Sequence, residues 1–175
     1  MQSIIYKGPG KFAIEDRPKP IIKKADDVMI KVLGVCICGT DINIFATPQK
    51  HPSRPGIIFG HEFCGQVVEV GEAVTSLKPG DKVIVDPHGP CGYCDACRAG
   101  LPEMCKNLYL DEPGLEGQAN AMGVFKDGGL TSYTLVPEKF AYKIAADTPA
   151  ELMALAEPLA CCGYSLEKLN IHVGD

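Results

Sequence analysis

Cys91, Cys94, Cys97 and Cys105 stand in the order C-x2-C-x2-C-x7-C within one polar, glycine-punctuated stretch. That stretch, residues 87–129, shows little apolar periodicity, and a loop of such length in a compact domain needs something to organise it. Tetrahedral zinc takes four thiolates presented at short spacings, and a bound metal supplies folding energy that a missing apolar core cannot. Residues 88–110 therefore read as a lobe built on a closed structural zinc site. An iron–sulfur cluster, which takes the same four thiolates, is the second reading. A closed site has no open coordination position, so this one is structural and not catalytic. Arg98 and Lys106 are placed to offset the negative charge of four thiolates on a dication.

The whole chain carries nine cysteines and four histidines. An odd cysteine count argues against a disulfide scaffold. The N-terminus lacks the basic region and apolar run of a signal peptide. The most apolar stretch, 152–166, is interrupted by Glu157 and Pro158 and is too short to span a bilayer. The expectation is a cytoplasmic protein with reduced thiols, where clustered cysteines bind metal. Lysine plus arginine number 17 against 22 aspartates and glutamates, a net −5, which offers no electrostatic footprint for nucleic acid or anionic membrane. The acids near the lobe, Asp95, Glu103, Asp111 and Glu112, speak against a nucleic-acid-binding zinc ribbon.

Nineteen glycines and 14 prolines favour a turn-rich β architecture over a helical bundle. Residues 3–7 and 12–15 read as a hairpin across Gly8-Pro9-Gly10. Further strands are expected at 28–36, 63–70, 82–85, 130–136 and 140–144. A short helix is expected at 40–46, capped by Thr40 or Asp41. Residues 149–169 are helical in character, with breaks near Glu157-Pro158 and at Gly163. Gly8 to Ala13 formally fits G-x-G-x-x-A, but it joins two strands and Pro9 has no N–H to offer a phosphate, so it is no dinucleotide site. The sum is a mostly β barrel or sandwich with peripheral helices.

A second constellation is spread along the chain: Cys38-Gly39-Thr40-Asp41, Gly60-His61-Glu62 and Glu157-Pro158. Together these supply thiolate, imidazole and carboxylate, the donor types of a catalytic zinc. With Lys78 to Val83 (KPGDKV), the four-cysteine lobe and Glu157 to Ala160 (EPLA), their order resembles the catalytic domain of the zinc-dependent medium-chain dehydrogenase/reductase family. The Glu-Pro pair resembles its sorbitol and threonine dehydrogenase branch.

The resemblance implies a GroES-like β-barrel over 1–175, with a zinc-binding lobe and two zinc ions per chain. It implies Cys38, His61, Glu62 and Glu157 as catalytic-zinc ligands, the two carboxylates exchanging with water or substrate, and Thr40 as the group that passes the alcohol proton outward. It further implies NAD or NADP as the hydride acceptor for a secondary alcohol, polyol or hydroxy amino acid, and a homo-oligomer at full length. The other reading is a stand-alone zinc-stabilised GroES-like binding module without chemistry. In the family a Rossmann domain follows a Gly-Asp turn like Gly174-Asp175; none is present here, so the chain alone is expected to be inactive. Many members also carry a histidine two residues after the aspartate of the C-G-T-D motif, as the end of the proton relay. Here that residue is Asn43, which cannot titrate. His51 is near in sequence but reads as a solvated loop histidine. Cys36, Cys64, Cys161 and Cys162 read as small buried residues, the last two close enough to Glu157 to line its site.

Overall fold

The computed structural model describes residues 1–108 and 117–169. Asp111, Glu112 and the Gly174-Asp175 turn lie outside these residues. Among the described residues there are seven strands, in the expected order, and four α-helices, one of them in the cysteine lobe where none was expected. β1 (Gln2–Gly8) and β2 (Lys11–Asp16) form an antiparallel hairpin. β3 (Asp27–Cys36), β4 (Glu62–Val70), β5 (Lys82–Val85), β6 (Tyr133–Pro137) and β7 (Ala141–Lys143) form one antiparallel sheet in the order β6-β3-β4-β5-β7.

The connection between its two edges curls this sheet. β6 ends at Pro137 and β7 starts at Ala141, joined by a single 3-10 turn, Glu138–Phe140. Four residues reach at most about 14 Å. The edges of a flat five-stranded sheet lie about 19 Å apart. The sheet must therefore roll toward closure, which gives the barrel. Alternation then sorts the side chains: Val28, Ile30, Phe63, Val67, Val83, Val85 and Val136 fill the inside. On the outer face Cys36, Cys64 and Ile84 pack under Met153 and Ala154 of α3 (Ala150–Ala154). The thiol of Cys64 points at the carbonyls of Gly34 and Ala150, 3.6 Å from each.

A second core lies under the hairpin, where Tyr6 and Phe59 stack at 5.6 Å between ring centres beside Ile44, Ile57 and Phe125. Backbone bonds from Ile4 to Leu130 (2.9 Å) and from Tyr6 to Ile57 (3.0 Å) fasten the hairpin there. Among the described residues no helix is long and apolar enough to cross a membrane.

Three local expectations change. Helix α1 (Gly39–Phe45) is capped by Cys38, while Asp41 sits inside the first turn and accepts the Cys38 N–H at 2.9 Å. The break expected near Glu157-Pro158 falls at Leu155, so Pro158 sits in the first turn of helix α4 (Ala156–Lys168), where no N–H is needed, and α4 runs through Gly163 without interruption. A glycine weakens an exposed helix without ending it. Third, of the four cysteines expected to be buried, Cys64 is buried, Cys36 is only half-buried, and Cys161 and Cys162 are exposed on α4.

Two glycines test this packing with opposite signs. A Cβ on Gly65 would stand 2.3 Å from the Lys31 carbonyl oxygen across the β3–β4 pair, so Gly65→Ala should cost about 1–3 kcal/mol in urea unfolding. A Cβ on Gly163 meets nothing within 4 Å, so Gly163→Ala should stabilise by about 0.5–1 kcal/mol.

Candidate metal centre

Strand register brings the second constellation together. Cys36 pairs with Glu62 and Cys64 with Ile84, so the end of β3, the start of β4 and the end of β5 share one rim of the barrel. Cys38 follows β3, His61 immediately precedes β4, and His88 follows β5 across Asp86 and Pro87. The ligand atoms of Cys38, His61 and Glu62 all lie within 4.8 Å of one another.

Adjacent residues of a regular strand point to opposite faces, so His61 and Glu62 converge only because the strand entry is irregular. Gly60 supplies that irregularity with φ +87°. Its carbonyl accepts the Gly129 N–H at 2.8 Å. A Cβ on Gly123 or Gly128 would stand 2.2 or 2.1 Å from the same oxygen, so only glycines allow this approach.

His61 is buried, and its Nδ1 lies 3.2 Å from Oδ1 of the equally buried Asp41. Among the described residues neither atom has a hydrogen-bond partner of good geometry, so the two buried atoms face each other alone. A carboxylate on one ring nitrogen fixes the tautomer and leaves the other nitrogen for a metal. Burial disfavours the imidazolium, but Asp41 together with the charges of Glu157 and Glu62 outweighs it, and the His61 pKa ends above its ordinary value. Burial pushes the Cys38 thiol up, against donors from Thr40 that favour the thiolate, and Glu62 adds to the rise. Burial also raises Glu157, and the charge of Glu62 raises it further. Two carboxyls, a thiol and an imidazole thus crowd where an anionic charge is costly, and a dication would relieve all of them. The donor set fits zinc. Because such ligands bind metal only when deprotonated, metal affinity here should fall as pH drops.

Glu157 reaches the same rim from the first turn of α4, although its oxygens fall outside the close three-ligand group. It lines a cavity of about 390 Å³ together with Cys38, Thr40, His61 and Glu62. Phe125 and Val124 form an apolar wall, whereas Met122 belongs to the barrel interior. Cys161 stands at the cavity with its sulfur 3.9 Å from Oε1 of Glu157. His51 and His88 also line it. Sequence reading missed His88 and the contact made by Asp41. A signal for Asp41 was its place one turn into a helix that starts beside Cys38; His88 carried none.

The four lobe cysteines form the second close group among the described residues. Sγ–Sγ distances are 3.5 Å for Cys94–Cys97 and 3.9 Å for both Cys91–Cys97 and Cys94–Cys105. A zinc–sulfur bond of about 2.3 Å implies tetrahedral edges of about 3.8 Å, so the cage fits. Backbone N–H groups of Cys91, Tyr93 and Cys94 point at these sulfurs. Although burial pushes the Cys91 thiol up, N–H donors draw it down to about 6, while burial and its sulfur neighbours push Cys97 up to about 12. The lobe contains a four-residue helix, α2 (Asp95–Arg98), and a 3-10 turn at Pro102–Met104. Asp95 and Glu103 are exposed, and Asp95 pairs with Lys106 at 3.0 Å.

If Asp41 orients His61, Asp41→Asn should weaken zinc binding at the Cys38–His61–Glu62 group by about 10–100-fold and leave the lobe's affinity unchanged. Competition with a chromophoric chelator reads both, and equal affinities in variant and wild type would remove that role.

Residues 24–146 match the alcohol dehydrogenase GroES-like domain. L-threonine 3-dehydrogenase of Thermococcus kodakarensis is 40% identical over 164 residues, covering 91% of this chain and 43% of that protein. D-xylulose reductase A of Aspergillus oryzae is 32% identical over 174 residues, covering 98% and 46%. The crystal structure of galactitol-1-phosphate dehydrogenase from Escherichia coli superposes with a TM-score of 0.79 at 29% identity, covering 91% and 42%. The chain thus spans less than half the length of each of these proteins. It belongs to the alcohol dehydrogenase GroES-like domain family, within the zinc-dependent medium-chain dehydrogenases.

Proposed function

We propose that this chain is the catalytic domain of a zinc-dependent oxidoreductase. It would oxidise a secondary alcohol, polyol or hydroxy amino acid by hydride transfer to NAD or NADP held by a separate nucleotide-binding domain. The observation that carries this reading is the convergence of Cys38, His61 and Glu62 on one cavity that also presents Thr40 and Glu157. The relatives' names support the substrate class: a threonine dehydrogenase, a xylulose reductase and a galactitol-phosphate dehydrogenase.

In this reading Cys38, His61 and Glu62 hold the catalytic zinc, with Glu157 adjoining as a further carboxylate. When bound, zinc supplies Lewis-acid chemistry that lowers the pKa of an alcohol hydroxyl. Asp41 keeps the His61 ring in one tautomer. Thr40 offers a hydroxyl at the cavity wall that accepts one proton while releasing another. Phe125 and Val124 exclude water on the apolar side. Cys91, Cys94, Cys97 and Cys105 hold a second zinc that organises the lobe and takes no part in the chemistry. The same reading assigns nicotinamide binding to a Rossmann domain and makes the enzyme a homo-oligomer at full length.

Metal analysis should return two zinc ions per chain. Cys38→Ser should remove one and keep the fold, whereas Cys91→Ser should remove the other and unfold the lobe. A single zinc, confined to the lobe, would instead favour a GroES-like interaction module without catalysis. The 175-residue chain alone should oxidise no alcohol with NAD or NADP in a spectrophotometric assay; measurable turnover would refute the need for a second domain.

A further inference from the structure

Oxidation of an alcohol releases a proton as well as a hydride, and the proton must reach solvent. Asn43 cannot take it: it lies on the exposed side of α1, and its carbonyl accepts the Lys50 N–H at 3.0 Å. The structure instead puts His51 on the wall of the reaction cavity, together with Thr40. This is not the freely solvated loop histidine that the sequence suggests. Its loop is tied down two residues later, where the Ser53 hydroxyl donates to the Val124 carbonyl at 2.6 Å and the Arg54 N–H to the same carbonyl at 3.3 Å. The His51 ring is half-buried and lies 6.5 Å, centre to centre, from the buried ring of Phe125. Its Nδ1 is 2.8 Å from the Pro52 carbonyl oxygen. A carbonyl only accepts, so in the neutral ring Nδ1 carries the hydrogen and Nε2 is the free base.

The other titratable groups lining this cavity are committed or poorly suited. Cys38, His61 and Glu62 form the close donor group, and Glu157 adjoins Glu62. Burial and the Glu157 charge hold the Cys161 thiol protonated. Burial and then the nearby His61 push His88 down, making it a weak base, with Asp86 opposing them. Lys50 and Arg54 flank His51 in the chain.

We propose that His51 is the proton acceptor that ends the relay of this site: the Thr40 hydroxyl takes the substrate hydroxyl proton and passes its own on, through water in the cavity that both residues line, to Nε2 of His51, which releases it to solvent. This rests on the dehydrogenase reading above. The step balances: the carbinol C–H bond breaks with its electron pair leaving as hydride to an oxidised nicotinamide, the O–H bond breaks, the carbonyl forms, and one proton ends on His51.

Long-range 1H–15N spectra of the 175-residue chain should show neutral His51 as the Nδ1–H tautomer; an Nε2–H tautomer would overturn the assignment. In the full-length protein carrying this domain, His51→Gln should bind zinc normally, lower kcat about 100-fold, and change the pH dependence of kcat. Added imidazole should restore turnover to His51→Ala in a saturable way. A His51→Gln variant with wild-type kcat and pH profile, or a His51→Ala variant that imidazole does not rescue, would overturn it as well. If the full-length wild type binds zinc yet oxidises no alcohol with NAD or NADP, the dehydrogenase reading fails instead.

Discussion

The carbonyl of Gly60 is where the Cys38–His61–Glu62 group and the cavity beside it are joined. It accepts the N–H of Gly129 at 2.8 Å, and glycines 123 and 128 press so close to it that no side chain fits at either position. This contact clamps the 121–129 segment, which carries the apolar wall of the cavity, onto the residue that precedes His61. The same Gly60 turns the chain with φ +87° and lets His61 and Glu62 face one point. Wall and ligands are therefore fixed relative to each other by backbone geometry and do not depend on side-chain adjustment.

Electrostatics then gives that group its bias. Four acidic or basic groups approach one another at a rim where burial penalises charge: Cys38 and Glu157 are pushed toward their neutral forms, while Asp41 favours charge on His61. Such an arrangement is poor as a stabilising network and well suited to a dication, because one ion compensates every member. The lobe repeats the argument with sulfur alone. Four thiols, with three of their pairs 3.5–3.9 Å apart, cannot all ionise unaided, and the backbone N–H groups aimed at them serve thiolates better than thiols.

Much of this was legible in the residues. The β-rich order, the hairpin at Gly8-Pro9-Gly10 and the strands at 28–36, 63–70 and 82–85 follow from alternation and turn residues, and they agree with the structure within a residue or two. The lobe cysteines were legible because a metal cage imposes spacing on a single short segment. Cys38, His61, Glu62 and Glu157 came from motif resemblance, since 23 positions separate Cys38 from His61 and 95 separate Glu62 from Glu157, which leaves no local trace. Asp41 reads as an N-cap because aspartate favours helix starts; it stands instead at the third helical position, where one oxygen accepts the Cys38 N–H and the other faces His61. Cys161 and Cys162 were expected inside because cysteine is usually buried, but which face of α4 is covered depends on what packs there.

The sequence by itself determined the element types, the donor residues and the number of metal groups to look for, because periodicity, turn chemistry and ligand type are local properties of the chain. Tertiary structure alone decided which residues share a cavity. The β3–β4 register, the short β6–β7 connection that rolls the sheet, and the Gly60 contact bring residues 38, 51, 61, 88 and 157 to one place. Proximity across such separations arises from strand pairing and close backbone packing, and no pattern within any one segment encodes it.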